Sequence, residues 1–304
     1  MKTQNKRLAF RSRIAIGVVC LILITPTLSL SWGAGGHMMT AQIAFDRLNP
    51  RAKAQVRTLL AISINPAAVT QRSKNFINAS HWADDLRPFP EFDSFKELHF
   101  IDKPFSTDGT PLPTDLPPNN IVTALKENVN ILKTSPDNNA RAQALRFIIH
   151  FVGDIHQPLH CATRVSAALP DGDRGGNSVS LKIRQPNGTT KTTNLHSYWD
   201  GGIATFPKTG PNFTPPPLSE IPPAAALAMR GNPATVRALH LDNPTDFEGW
   251  ASESNTLAQD VAYKGITNNG TPTAAYNRRA TSVARKRVAW GGYRLAALLN
   301  SIWP

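Results

Sequence analysis

The sequence predicts a mainly α, single-domain protein built of many helices with one small β-hairpin. Three observations carry that class. Apolar residues recur at i, i+3 and i+4 through most of the chain, as in Leu145, Ile148, Ile149, Val152 and Ile155. Strict alternation occurs once, where Val179, Leu181 and Ile183 are separated by polar residues. There is no internal repeat or low-complexity tail, so residues 32–304 read as one domain large enough to bury a substantial core.

Taken in order, residues 1–31 have the form of a secretory signal. Lys2, Lys6, Arg7, Arg11 and Arg13 precede an apolar stretch from Ile14 to about Ile24 that is too short, and too closely followed by Pro26, for a membrane span. Ser29 and Ser31 suit the −3 and −1 positions of a cleavage site, which would make Trp32 the first mature residue. An uncleaved anchor is the alternative, and bulky Val19 before Cys20 disfavours a lipoprotein. Helical patterns follow over 37–62, 68–84, 119–134, 140–160, 250–264 and 274–302. The hairpin is expected over 177–194, turning at Asn187-Gly188. The Pro-rich stretches 104–118 and 207–223 read as loops rather than linkers.

The formal charge of the full chain is +12, and removing the signal takes away five cations and no acid, leaving about +7. A basic surface concentrates polyanions such as nucleic acid or anionic lipid, although many basic proteins carry only a solvated surface. Cys161 is the one cysteine outside the signal, which excludes a disulfide within the mature chain. An exported protein of this kind is held by packing, and metal can add to it.

The chemistry concentrates in RFIIHFVGDIHQPLH. His150 and Asp154 are i, i+4 neighbours on one helix face and can bind a common ion. His160, ten residues on, falls about 80° round the axis and should serve a different, nearby metal. The same pairing recurs as His196 and Asp200, which could complete that second site. Trp32 and His37 form a Trp-x4-His pattern at the cleavage point, so the new amino terminus is itself a candidate ligand. Asp84 and His99 are further candidates, with Asp85 competing with Asp84. A lone histidine is more often a hydrogen-bonded structural one, and His81, His156 and His240 are read that way because they fit no ligand pair.

With these residues in view, the chain resembles the zinc-dependent single-strand-specific nucleases of fungi, plants and bacteria, of the nuclease and 3′-nucleotidase type. That family is mostly helical and shares a trinuclear zinc centre and fold with zinc-dependent phospholipase C. The motifs are WGAGGH at 32–37, WADDLR at 82–87, LHFID at 98–102, HFVGDIHQPLH at 150–160, GGN at 175–177, NLHSYWD at 194–200 and WASES at 250–254. The missing disulfides set the chain beside the bacterial members. The resemblance selects Asp84 over Asp85 and implies three zinc ions. One is held by Asp84, His99, His150 and Asp154. Asp154 bridges to a second on His37 and the amino nitrogen and carbonyl oxygen of Trp32, and the third lies on His160, His196 and Asp200. Nitrogen and carboxylate ligands without thiolates suit catalytic zinc.

The expected reaction is phosphodiester hydrolysis of single-stranded DNA and RNA to 5′-phosphorylated products, with 3′-nucleotides as further substrates. Metal-generated hydroxide attacks phosphorus in line while the third zinc stabilises the leaving oxygen. By resemblance, Asp102 orients the water and Arg87 neutralises phosphoryl charge, unless the two make an ordinary surface ion pair. Phe100 and Asn177 stack on and hydrogen-bond an unpaired base, with plain core packing the alternative for Phe100. Phospholipase C is the rival enzyme, disfavoured by the short Trp32 to His37 spacing and by Asp200. A non-catalytic zinc-binding protein is the rival class and would not need Asp102 or Arg87. The mature protein is expected to be a secreted or periplasmic monomer without stable membrane association.

Overall fold

A computed structural model describes residues 32–304 apart from 186, 211–213 and 236. The segment 1–31 read as a signal lies outside the described residues. Helix takes 56% of the structure and strand 7%, which makes the fold mainly α as expected.

The helical pattern over 37–62 forms two helices, α1 (Ala34–Phe45) and α2 (Pro50–Ala61). The break has a local cause: Asn49 caps α2 by accepting from the Ala52 N–H, and Pro50 occupies its first turn, where a missing N–H costs nothing. The pattern over 68–84 is likewise divided, into α3 (Ala67–Arg72), α4 (Phe76–Ala79) and α5 (Trp82–Asp85). A 3-10 stretch, Pro90–His99, then leads to β1 (Pro104–Ser106). The α6 helix (Ile121–Thr134) starts with a capping box between Asn120 and Thr123.

The single helix expected over 140–160 is corrected. The α7 helix (Asn138–Asp154) ends at Asp154, where the His156 N–H turns back to the Gly153 carbonyl, and Pro158 opens a separate 3-10 turn, Pro158–Cys161. His160 therefore owes its position to that turn and not to a rotation about the α7 axis. After it, β2 (Thr163–Val165) pairs in parallel with β1. The expected hairpin is β3 (Ser180–Arg184) against β4 (Thr190–Asn194), with Gly188 at a positive φ of 81° in its turn.

The short α8 (Leu195–Asp200) follows β4 directly, capped by Asn194. Beyond it lie α9 (Ile221–Met229), α10 (Phe247–Leu257), a π turn (Ala258–Ala262) and α11 (Ala274–Ile302). The 207–223 loop is thus shorter than expected, because α9 begins inside it at Ile221 with prolines in its first turn.

Three apolar clusters meet around α7 and α11. One joins α2, α6, α7 and α10, a second lies beneath β3, α8 and the π turn, and a third joins α1, α9 and α11. Between α10 and α11, buried Arg287 and Arg294 converge on Glu253, at 2.8 and 2.7 Å. Cys161 is a free, buried thiol. No helix among the described residues is long and apolar enough to cross a membrane.

Candidate metal centre

Six separate segments deliver the site. The α7 helix presents His150 and Asp154 one turn apart, α1 presents His37, and α5 supplies Asp84 with Arg87 just beyond its end. His99 closes the first 3-10 stretch, His160 lies in the second, and α8 carries His196 and Asp200.

Asp154 stands at the centre with no solvent exposure. Its Oδ1 lies 3.2 Å from His37 Nε2, while its Oδ2 lies 3.0 Å from both His99 Nδ1 and His150 Nε2. One carboxylate thus faces two sets of nitrogens, the arrangement a bridging ligand needs. Donor atoms converge in three groups: His37, His150 and Asp154; Asp84, His99 and His150; and His160, His196 and Asp200. Within each group the atoms lie within 4.8 Å of one another. In the third, His196 Nε2 and His160 Nε2 are 3.6 and 3.9 Å from Asp200 Oδ1.

Backbone carbonyls settle which nitrogen of three histidines faces inward. A carbonyl oxygen only accepts, so Nδ1 of His150, His160 and His196 must donate to Ser80, His99 and Gly175, at 2.6, 2.7 and 2.8 Å. Where the ring is neutral, its Nε2 then carries a lone pair into the site, as in metal centres where an outer hydrogen bond fixes the ligating tautomer.

The electrostatics agree with a cation-binding role. Burial, aided by the neighbouring His150, pulls His37 down to about 4, and burial also lowers His99, His160 and His196, so these rings are neutral donors. Burial works to raise Asp154, but His150, His160 and His37 outweigh it and hold its carboxyl well below the usual range. Arg87 does the same for Asp84. Asp200 is pushed well above its ordinary value by burial, with the Gln157 hydrogen bond opposing.

The residues present could hold metal ions. His160 Nε2, His196 Nε2 and Asp200 Oδ2 are buried atoms with no hydrogen-bond partner, and His37 Nε2 and Asp154 Oδ1 face each other at 3.2 Å without hydrogen-bond geometry. Leaving one such atom uncompensated costs about 1–3 kcal/mol, and five at one place have no purpose in packing alone. Shared cations would satisfy them.

The remaining expectations sort clearly. Asp85 pairs with His81 at 3.0 Å and faces away from the cluster, so the Asp84 choice agrees with the geometry. His156 donates from Nδ1 to the Val152 carbonyl and meets Arg294, a structural role, while His240 is exposed. Trp32 is fully buried against Phe206, and the adjacent Gly33 N–H donates to the Asp200 carbonyl, which ties this end of the chain to the third group.

Beside the cluster lies a cavity of about 240 Å³ lined by Arg87, Phe100, Asp102, Asn177, His99 and His160 among others. All four residues expected to handle substrate therefore share one cavity with His99, His160 and His196 of the donor groups. Arg87 is not a surface ion pair with Asp102: its Nη2 binds Asp84 at 2.8 Å, and its Nη1 is buried without a partner. Asp102 is pushed up to about 6, by burial first and by Asp173 second, with Arg174 opposing. Asn177 donates to the Arg174 carbonyl at 2.7 Å, which leaves its buried Oδ1 unpartnered.

Several contributors escaped the sequence reading. Lys96 and Arg174 also line the cavity. Buried Asp173 clamps the turn before Asn177, its Oδ1 accepting from the Arg164 and Gly176 N–H groups and the Tyr263 hydroxyl at 3.0, 3.1 and 2.8 Å. That turn places both the Gly175 carbonyl on His196 and Asn177 in the cavity. Gln157 donates to Asp200 at 2.8 Å. Adjacency to GGN and to HQPLH was the available signal for Asp173, Arg174 and Gln157, but neither residue type nor spacing marks them out.

Comparison with known proteins gives the same picture. The family model for S1/P1 nuclease matches residues 32–304. Endonuclease 3 of Arabidopsis thaliana is 28% identical over 94% of this chain and 94% of its own length. Nuclease S1 of Aspergillus oryzae is 26% identical, covering 90% and 93%, and nuclease P1 of Penicillium citrinum is 25% identical, covering 89% and 97%. With a family match that runs from the first described residue to the last, the chain belongs to the S1/P1 nuclease family.

Proposed function

We propose that this protein is an exported, zinc-dependent endonuclease that cuts single-stranded DNA and RNA to 5′-phosphorylated products and also accepts 3′-nucleotides. Family membership makes it a nuclease, a hydrolase of phosphodiester bonds, and members of the family are metal-dependent. The observation that carries the finer reading is the convergence of three donor groups, one containing Asp154 and a second meeting it through His99 and His150, beside a cavity of about 240 Å³.

In this reading three zinc ions are held by Asp84, His99, His150 and Asp154; by Asp154, His37 and the backbone of Trp32; and by His160, His196 and Asp200. Zinc bound there supplies Lewis acidity, making a water acidic near neutral pH and countering charge on phosphoryl oxygens. The chain's own groups do the rest. Asp102, ionised above about 6, accepts a hydrogen bond from the attacking water and orients it. Arg87 keeps Nη2 on Asp84 and offers its partnerless Nη1 to a phosphoryl oxygen. Phe100 stacks on a base, and Asn177 Oδ1 accepts from that base's edge. Both contacts need a base out of its duplex stack, which favours single strands.

Ligation by the Trp32 amino group requires cleavage after Ser31, and the family match beginning at residue 32 supports that boundary. Mass spectrometry of the exported protein should give an amino terminus at Trp32. The activity test is hydrolysis by zinc-loaded monomeric protein of single-stranded DNA and phosphatidylcholine in parallel, each with and without chelator. Chelator-sensitive cleavage of DNA alone is expected. Cleavage of the lipid alone would move the chain to the phospholipase branch, and cleavage of neither would leave a zinc-binding protein.

A further inference from the structure

The α11 helix carries Arg278, Arg279, Arg285, Lys286, Arg287 and Arg294 and no acid. Four of these cations have local employment. Arg287 and Arg294 turn inward to Glu253, Arg279 donates to the Lys264 carbonyl, and Lys286 lies 4.2 Å from the Trp290 ring centre. Arg278 and Arg285 do not. With Thr281 and Ser282 they occupy one face of α11, at i, i+3, i+4 and i+7, and that face forms one wall of a second cavity of about 480 Å³. Arg230, just past the end of α9, faces it from the other wall. Among the described residues the arginine ion pairs involve Arg72, Arg87, Arg164, Arg287 and Arg294 and none of these three, and no carboxylate lines the cavity.

Three guanidinium groups gathered round a concavity repel one another, and hydroxyl and amide groups are the only polar company they have. An anion with several charges relieves that repulsion, and guanidinium forks match phosphate oxygens. The place of the cavity suggests whose phosphates these are. Its floor includes Ile203 and Thr205, in the turn directly after Asp200. Tyr198 of α8 donates to Asn277 of the cavity wall at 3.0 Å. The cavity is therefore built on the back of α8, whose other residues His196 and Asp200 belong to the third donor group. One helix, on the order of 10 Å across, separates the two.

We propose that this cavity is a second nucleic-acid site, in which Arg230, Arg278 and Arg285 hold backbone phosphates of a single strand distant from the bond being cut. The inference rests on the nuclease reading for its ligand, but its geometry is independent of the metal centre. Such a site raises the affinity for long strands without touching the chemistry, and leaves the shortest substrates unaffected.

The test compares wild type with the double variant Arg278→Gln/Arg285→Gln, both zinc-loaded and with matched melting temperatures. KM is measured on long single-stranded DNA and on a dinucleoside monophosphate. Binding is measured separately with a hydrolysis-resistant phosphorothioate strand and with anionic phospholipid vesicles. The expected result is a KM for the long strand raised about tenfold at low salt, with a salt slope shallower by about 1.4, the loss of two single-strand phosphate contacts. The dinucleotide is turned over as before, and the phosphorothioate strand binds more weakly. Unchanged binding and KM for long strands would overturn the proposal, as would an equal loss on the dinucleotide. A loss confined to vesicle binding would assign the cavity to a membrane surface instead. If wild type cleaved neither nucleotide substrate, the nuclease reading would fail while the binding comparison still decided this one.

Discussion

Replacing Gly153 by alanine should disable the metal centre from outside its ligand set. Gly153 lies one residue before Asp154 on α7, and a β-carbon built there sits 2.5 Å from His37 Nδ1 and 2.9 Å from its Cε1. Ordinary contact begins at 3.4 Å, so the ring must move by about 0.9 Å. It has little room, because His150 is stacked against it with ring centres 4.0 Å apart. Metal–ligand distances tolerate only about 0.2 Å, so His37 leaves its productive position. Metal affinity should fall by at least 10–100-fold, and misplacement near 1 Å costs about 100-fold in rate. Stability changes much less: overpacking costs about 1–3 kcal/mol, and alanine in place of helical glycine recovers about 1. The assay is zinc content after dialysis, with hydrolysis of single-stranded DNA and thermal melting on the same samples. Gly292→Ala is the control, since its β-carbon would meet Ile43 Cβ at 2.6 Å on the α1–α11 contact. That variant should lose stability and keep its zinc. A Gly153→Ala protein with wild-type zinc content and activity would refute the claim that His37 must sit where it does.

Other perturbations separate chemistry from support. Asp102→Asn should lose about 100-fold in rate while melting higher than wild type above pH 6 when both are metal-free. The sign follows from a folded pKa raised from 3.8 to about 6: the folded state binds the proton more tightly, so wild type loses stability as pH rises between those values. The variant's advantage should vanish near pH 4 in a melting series across pH. Glu253→Ala strands Arg287 and Arg294, both 1% exposed, and should cost about 3 kcal/mol, the low end for a broken buried pair because Glu253 itself is 32% exposed. A melting temperature lowered by roughly 10 °C is expected, and a change under about 2 °C would show the cluster to be dispensable. Asp173→Ala releases the turn that holds His196 and Asn177 and should weaken zinc binding by about 10–100-fold in chelator competition. Unaltered zinc affinity would mean that the turn holds its shape without the clamp.

The parts of this protein that the sequence made legible are those governed by short-range periodicity. The His150–Asp154 and His196–Asp200 pairs each lie one helical turn apart, and the structure keeps both pairs on one face of α7 and α8. The hairpin was visible through alternation and Asn187-Gly188. Helix ends were less so. The breaks at Asn49-Pro50 and after Asp154 depend on caps and turns that a periodic count runs through. The rotation that predicts a separate site for His160 needs a helix longer than α7, and the 3-10 turn at Pro158 is what brings His160 to His196 and Asp200.

By itself the sequence determined the helical class, the two i, i+4 His–Asp pairs and, through ordered motifs from Trp32 to Ser254, the resemblance to the family that the match over 32–304 shows. Local spacing suffices for the class and the pairs, because i, i+4 geometry is the same in every helix, whereas the resemblance rests on the motifs and their order. Only the tertiary structure decided that Asp85 turns to His81, that Asp154 turns one oxygen to each set of histidines, and that carbonyls of Ser80, His99 and Gly175 aim three rings. It also decided that Asp173 clamps the turn beside the cavity, and that three arginines from α9 and α11 gather behind α8. Each of these is a meeting of segments far apart in the chain, set by how helices pack and loops close, and no local pattern encodes such a meeting.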